Sequence, residues 1–296
     1  MSYPKIKRLP NNPNMEGQIK LVQNIIYSTA TGEKLPLTLL LPWNLDDENI
    51  QIKKKPLIVF VQGSSWTTPD REFEIPQLSV FARKGYIVAT IEHRSALEGH
   101  AFPAFLQDVK CAIRFLRKHA DLYGIDSERV AVWGTSSGGN AALLAGLTGD
   151  FYEYKTEEYS EYSDSVSAVV ECFGPTDLIT MSEVMMQASE ETEATEPPAL
   201  VMGLCGGDLT RFGEVAVAMS PLYHIEKGKK VPPFLLIHGD NDPVVPFEQM
   251  VSLYHKMLDC NYEVEAWQIE GAVHEGNFWS DAVYRVIEEF LTKNIS

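Results

Sequence analysis

Long apolar runs are missing from this 296-residue chain, and none approaches the ~20 residues that a membrane helix needs. Met1 to Pro10 carry lysine and arginine but no apolar segment or small-residue cleavage site, so no signal peptide is read there and a soluble, cytoplasmic protein is expected. Cysteine is scarce: Cys111, Cys172, Cys205 and Cys260 lie far apart without a C-x-x-C pair, which favours free buried thiols over a disulfide framework. Positive charge is in deficit, with 25 Lys and Arg against 41 Asp and Glu for a formal net charge of −16. That balance argues against nucleic acid and anionic membranes as partners, because phosphate binding needs a basic patch. No His/Cys/Asp cluster has metal-ligand spacing, so neither a metal nor another cofactor is expected. Internal repeats and low-complexity tracts are absent as well.

What is present is globular, with 45% hydrophobic and 22% charged residues, and no linker divides it, so residues 1–296 are read as a single domain. Residues 1–17, with their turn formers, read as an N-terminal arm. Gln18 to Ala30 and Leu35 to Leu41 flank the turn Thr31-Gly32-Glu33 and form an antiparallel hairpin. The arm and hairpin are candidates for packing on a second subunit of a homo-oligomer. Strand and helix patterns then alternate: Leu57 to Val61, Glu74 to Lys84, Tyr86 to Ile91, Ala104 to His119, Arg129 to Val132 and the Ala/Leu-rich stretch after residue 140. Short loops between such elements imply a mostly parallel, doubly wound α/β sheet. A strand from Val166 to Cys172 follows. Residues 178–219 break the rhythm, with Met181, Met185 and Met186 at helical spacing, and read as a small inserted cap whose methionines pack internally. Pro233 to Ile237, Pro246 to Asp259, Tyr262 to Ile269 and Trp279 to Thr292 complete the alternation. The acidic segments Asp150 to Asp164 and Glu183 to Glu196 read as solvated faces.

Chemistry concentrates at strand ends. Gly134-Thr135-Ser136-Ser137-Gly138 lies between a strand and a helix, the setting in which G-x-S-x-G becomes a nucleophile elbow. Ser136 is the candidate nucleophile, and the amide of Ser137 points from a helix start toward a developing oxyanion. A serine hydroxyl needs a base and a carboxylate to orient that base. His238-Gly239-Asp240-Asn241-Asp242 places Asp242 in the loop after one strand, with Asp240 as the alternative acid, and His274 lies in the glycine-flanked loop after the next. In a parallel sheet these carboxyl ends share one edge, so residues 136, 242 and 274 can meet. Arg94 and Asp108 are expected to form a structural ion pair beneath that edge.

From about residue 20 onward the chain resembles the α/β-hydrolase superfamily, and within it the carboxylesterases grouped with bifunctional acetylxylan and feruloyl esterases. The resemblance rests on Gly-Thr-Ser-Ser-Gly at 134–138, His-Gly-Asp-Asn-Asp-Pro-Val-Val-Pro at 238–246 and His274 before the last helix, and it extends to Glu92-His93-Arg94. It implies the α/β-hydrolase fold, a Ser136-His274-Asp242 triad, and hydrolysis of acetyl or feruloyl esters of carbohydrates such as xylo-oligosaccharides. Where relatives carry His-Gly-Gly-x-Trp, this chain has Gln62-Gly63-Ser64-Ser65-Trp66. Ser64 is the first choice for the second oxyanion amide, with Gly63 and Ser65 as its neighbours, and Trp66 and Phe173 are expected at the substrate pocket. Trp66 also fits a core aromatic. Two other readings stay open: an arylformamidase-like amidase, which shares the His-Gly-Gly-x-Trp pattern, and a non-catalytic ligand-binding protein that keeps the fold.

Overall fold

Apolar runs without alternation become strands covered on both faces, and mixed runs become edges. In the computed structural model, which describes residues 6–43, 54–181 and 199–296, one eight-stranded sheet carries both kinds. Its strands are β1 (Ile19–Ser28), β2 (Leu35–Pro42), β3 (Lys55–Val61), β4 (Ile87–Ile91), β5 (Ile125–Thr135), β6 (Ala168–Cys172), β7 (Phe234–Gly239) and β8 (Val264–Ile269), in the spatial order β1-β2-β4-β3-β5-β6-β7-β8. β1 pairs with β2, and β2 with β4, antiparallel; every later neighbour is parallel. β6 and β7 are buried throughout, whereas the edge strands β1 and β8 are largely half-exposed.

Helices cover both faces: α1 (Ile75–Arg83), α2 (Ala104–Lys118), α3 (Ala120–Tyr123), α4 (Ser137–Leu147), α5 (Ala199–Leu204), α6 (Phe212–Met219), α7 (Glu248–Asp259) and α8 (Asp281–Ile295). The period-two alternation of β3 sorts its side chains between two cores. Leu57, Val59 and Val61 pack in the core of α2, α4 and α7, while Ile58 and Phe60 join α1 and α8 on the other face. Among the described residues no helix is long and apolar enough to cross a membrane. The cysteines are free thiols, three of them buried.

Three expectations change. β5 starts at Ile125 rather than Arg129, because Asp126 accepts the Glu128 amide (3.1 Å) and the Arg129 guanidinium (2.8 Å), satisfying the polar start of the strand. The acidic segment 150–164 is not simply a solvated face. Asp164 is wholly buried between Lys110 (2.6 Å) and Arg114 (2.8 Å), whose side chains are buried as well. Asp150 accepts the hydroxyls of Ser163 and Ser165, so the two ends of the segment are clasped together. In the cap region 178–219 the structure adds the helices α5 and α6, which the methionine spacing did not signal, while Met185, Met186 and the stretch Glu183 to Glu196 lie outside the described residues. Its stems converge on one side chain: Asn140 Nδ2 donates to the carbonyls of Pro175 (2.9 Å) and Met219 (2.8 Å).

Candidate active site

β5 delivers its last residues to the carboxyl edge and α4 begins at once, so Ser136 is forced to φ 52°, ψ −125°. A non-glycine residue there stores about 1–3 kcal/mol of strain, which the surroundings must offset. Here the Ser136 amide donates to the Cys172 carbonyl (2.9 Å) and its carbonyl accepts the Asn140 amide (3.0 Å). Strand and helix also touch too closely for side chains: a Cβ on Gly134 would lie 2.0 Å from the Gly138 carbonyl oxygen, and one on Gly138 2.0 Å from that of Val61.

The loops after β7 and β8 bring the other two groups to this turn. His274 Nε2 lies 2.9 Å from Ser136 Oγ, and its Nδ1 lies 2.7 Å from Asp242 Oδ2. With the Nδ1 proton donated to Asp242, Nε2 is left to accept the serine proton. Burial alone would raise the Asp242 pKa. Hydrogen bonds from His238 and His274 and from the Val245 and Val244 amides overcome that and hold it well below the usual carboxylate range. The alternative acid, Asp240, is engaged elsewhere, accepting from the Gly271 amide and the Gln268 side chain (both 2.6 Å). Phe173, at φ 44°, is fully buried with its ring edge-on to His274 (4.8 Å between centroids). It supports the histidine from below and does not line the pocket, a correction to its expected place.

The 62–67 loop faces the elbow from the end of β3. Its first two amides are already taken: Gly63 N–H donates to Thr135 Oγ1 and Ser64 N–H to Ser137 Oγ, both at 2.9 Å. The Ser64 amide, the first choice from sequence, is thus held by a side chain. Among the described residues the amides of Ser65 and Trp66 in the loop and of Ser137 at the start of α4 have no hydrogen-bond partner, which leaves them able to meet an oxyanion. Ser65 and Trp66 both have positive φ, 51° and 56°, as a tight primed turn requires. That turn is tied by Thr67 N–H to the Ser64 carbonyl (3.0 Å) and by reciprocal hydroxyl bonds between Ser64 and Thr67 (2.6 Å each). Gly63 lies too close to Ser136 for a side chain, since a Cβ would sit 2.7 Å from Ser136 Cβ. The hydroxyls of Thr135 and Ser137 have a role that the pentapeptide pattern does not signal, because it specifies glycines and the nucleophile only.

Two buried carboxyls flank the machinery. Glu171, on β6, is fully buried; desolvation raises its pKa to about 8 although the Gly174 amide donates to Oε1, and Oε2 has no partner among the described residues. Glu74 is raised by burial to about 7, with the nearby Glu275 charge adding to the shift. Glu275 is itself raised by burial and accepts the Trp279 indole N–H (2.7 Å). Arg94 and Asp108 form the expected ion pair, with Arg94 Nη2 2.8 Å from Oδ1 and the Arg94 amide 2.8 Å from Oδ2. Trp66 is largely buried, hydrogen-bonds Asn140 Oδ1 through its indole (3.3 Å), and still walls an apolar cavity under the cap. Among the described residues no group of three or more His, Cys, Asp or Glu could hold a metal ion.

Comparison with known proteins adds to this geometry. The BD-FAE family model matches residues 47–257. Esterase LipC of Mycobacterium tuberculosis is 32% identical over 241 residues, covering 81% of this chain and 57% of LipC. The probable carboxylic ester hydrolase LipM of the same organism is 27% identical, covering 66% of this chain and 43% of LipM. The chain thus spans about half the length of these curated relatives. A truncated carbohydrate esterase from gut microbiota superposes with a TM-score of 0.76 at 26% identity, over 96% of this chain and 99% of that one. Esterase Est2 of Thermogutta terrifontis with propionate bound shares the fold, with a TM-score of 0.71 at 24% identity over 95% of this chain and 96% of Est2. With the family match running over well more than half of its length and the strand order to go with it, the chain belongs to the BD-FAE family and has the α/β-hydrolase fold.

Proposed function

We propose that the protein is a serine carboxylesterase that hydrolyses short-chain acyl esters of carbohydrate alcohols. The observation that carries the reading is the unbroken hydrogen-bonded line from Ser136 Oγ through His274 to Asp242, at 2.9 and 2.7 Å. Ser136 Oγ attacks the ester carbonyl while its proton passes to His274 Nε2. The amides of Ser65 and Ser137 receive the oxyanion, and the imidazolium is balanced by the carboxylate of Asp242. Collapse breaks the bond to the alcohol oxygen, which takes the proton from Nε2. Water then gives a proton to Nε2 and attacks the acyl-enzyme, and the second collapse returns Ser136 with its proton. The gut carbohydrate esterase supports a sugar alcohol, and the family resemblance supports acetyl and feruloyl as acyl groups on xylo-oligosaccharides.

The test is acetate release from acetylated xylo-oligosaccharide beside hydrolysis of p-nitrophenyl acetate, with a fluorophosphonate probe to label the nucleophile. Efficient release together with labelling that disappears in Ser136→Ala is expected. Hydrolysis of the nitrophenyl ester alone would remove the carbohydrate part of the reading, and full labelling of Ser136→Ala would remove the nucleophile.

A further inference from the structure

The loop that delivers His274 turns left-handed at three places, and two of them are glycines, Gly271 (φ 70°) and Gly276 (φ 58°). The third is Glu275, at φ 66° and ψ −162°. That region of backbone space is open to glycine and costs a residue with a Cβ roughly tenfold in the folding equilibrium. The carboxyl is unfavourable there for a second reason. Burial disfavours its charge, and Glu74, buried at the start of α1, is near enough for the two charges to oppose each other. Glycine would lift both penalties. A backbone outlier kept beside a catalytic base, on a residue whose charge is also opposed, points to a task for its side chain.

That side chain reaches forward along the loop and accepts the Trp279 indole N–H (2.7 Å). The bond runs beside two main-chain bonds of the same turn, from the Phe278 amide to the Glu275 carbonyl (3.2 Å) and from the Trp279 amide to the Gly276 carbonyl (3.3 Å). Trp279 is a firm anchor. It stacks on Tyr284 of α8, 5.3 Å between centroids and 6° between planes, and meets Trp133 of β5 and Phe173 edge-on. The peptide that joins residues 274 and 275 therefore takes its direction from the Trp279 side, and with it the ring whose Nε2 lies 2.9 Å from Ser136 Oγ. We propose that Glu275 is a positioning residue for the base: its bond to Trp279 latches the left-handed turn, and the turn aims His274 at Ser136. Without the latch residue 275 is free to leave the strained region, and a displacement of about 1 Å at reacting atoms costs about 100-fold in rate. The inference rests on His274 being the base and adds a residue that the triad itself does not contain.

The experiment is steady-state kinetics on p-nitrophenyl acetate, with thermal unfolding alongside, for Glu275→Gly, Glu275→Gln, Trp279→Phe and the double variant of Glu275→Gly with Trp279→Phe. Glu275→Gly is expected to melt near or above wild type, because the strain leaves with the side chain, yet to lower kcat about 10–100-fold with KM within about twofold. Glu275→Gln, whose amide oxygen still accepts from the indole, is expected to stay within about threefold of the wild-type kcat. Trp279→Phe removes the donor and keeps an aromatic ring in the stack. It is expected to lose about as much as Glu275→Gly, with the double variant falling no further. A wild-type kcat in Glu275→Gly would overturn the proposal, and so would a Glu275→Gln as slow as the glycine variant or losses that multiply in the double variant. If His274→Ala is inactive, the base stands whatever the Glu275 variants do; if it stays active, the base falls and the role of Glu275 with it. The two readings therefore fail separately.

Discussion

The elbow at 133–140 and the loop at 62–67 face each other from the ends of neighbouring strands, and both hold non-glycine residues at positive φ. They reach that state by different means. The elbow is held by main-chain hydrogen bonds and by glycines that let α4 sit against β3 and β5. The loop, in which Ser64 stands at the second glycine of the His-Gly-Gly-x-Trp pattern, is held by four hydroxyls: Thr135 and Ser137 from the elbow, Ser64 and Thr67 from itself. A left-handed serine costs about 1–3 kcal/mol, and hydrogen bonds of about 0.5–1.5 kcal/mol each can offset it. The elbow therefore rests on backbone packing and the facing loop on side chains.

The largest effect should come from the elbow itself. Ser136→Ala and His274→Ala are each expected to lower kcat by about 10⁴-fold or more with little change in melting temperature, as measured by steady-state kinetics and thermal unfolding. Near-normal turnover in either would dissolve the triad. Asp242→Asn should follow at about 10³–10⁴-fold, because the amide can hold the wrong His274 tautomer.

The comparison sharpens on the hydroxyls. Ser137→Ala and Thr135→Val are expected to lower kcat about 10–100-fold while KM moves little, since they loosen an oxyanion donor without touching the acyl group. Ser65→Gly, which removes the left-handed cost, should restore much of what Ser137→Ala loses. If the double variant is no better than the single one, the hydroxyls do not substitute for glycine.

A smaller effect lies beneath the elbow. Burial raises Glu171 to about 8, above its unfolded value, so its proton binding favours the folded state fully below about pH 4.5 and ever less as pH climbs to 8. Glu171→Gln should flatten that fall, narrowing or reversing its stability deficit against wild type between pH 5 and 8. Melting curves across that range that stay parallel for the two proteins would mean that Glu171 is not held protonated.

The strand ends and the meeting of residues 136, 242 and 274 at one sheet edge could be read from sequence because they depend on local pattern: an apolar run, a turn, and a residue type that chemistry demands. The resemblance favours Asp242 over Asp240, and the fold supplies the physical reason, since Asp240 accepts from the Gly271 amide. Which oxyanion amide is free was hidden, as Ser64 and Ser65 differ only through a bond from the elbow 73 residues away. Asp164 was misread with its acidic neighbours. Its partners Lys110 and Arg114 sit one helical turn apart on α2, and only the folded chain brings that face to the loop. Phe173 looked like a pocket residue because it follows a strand, yet its positive φ turns the ring under His274.

Asn140 binds both stems of the cap and the indole of Trp66, all from the first turns of the nucleophile helix. The polypeptide between Pro175 and Met219 therefore leaves and returns at one fixed point, like a cartridge in a socket. A change of sequence between those two points therefore leaves the Asn140 contacts, and the turn at Ser136 on which they are built, in place.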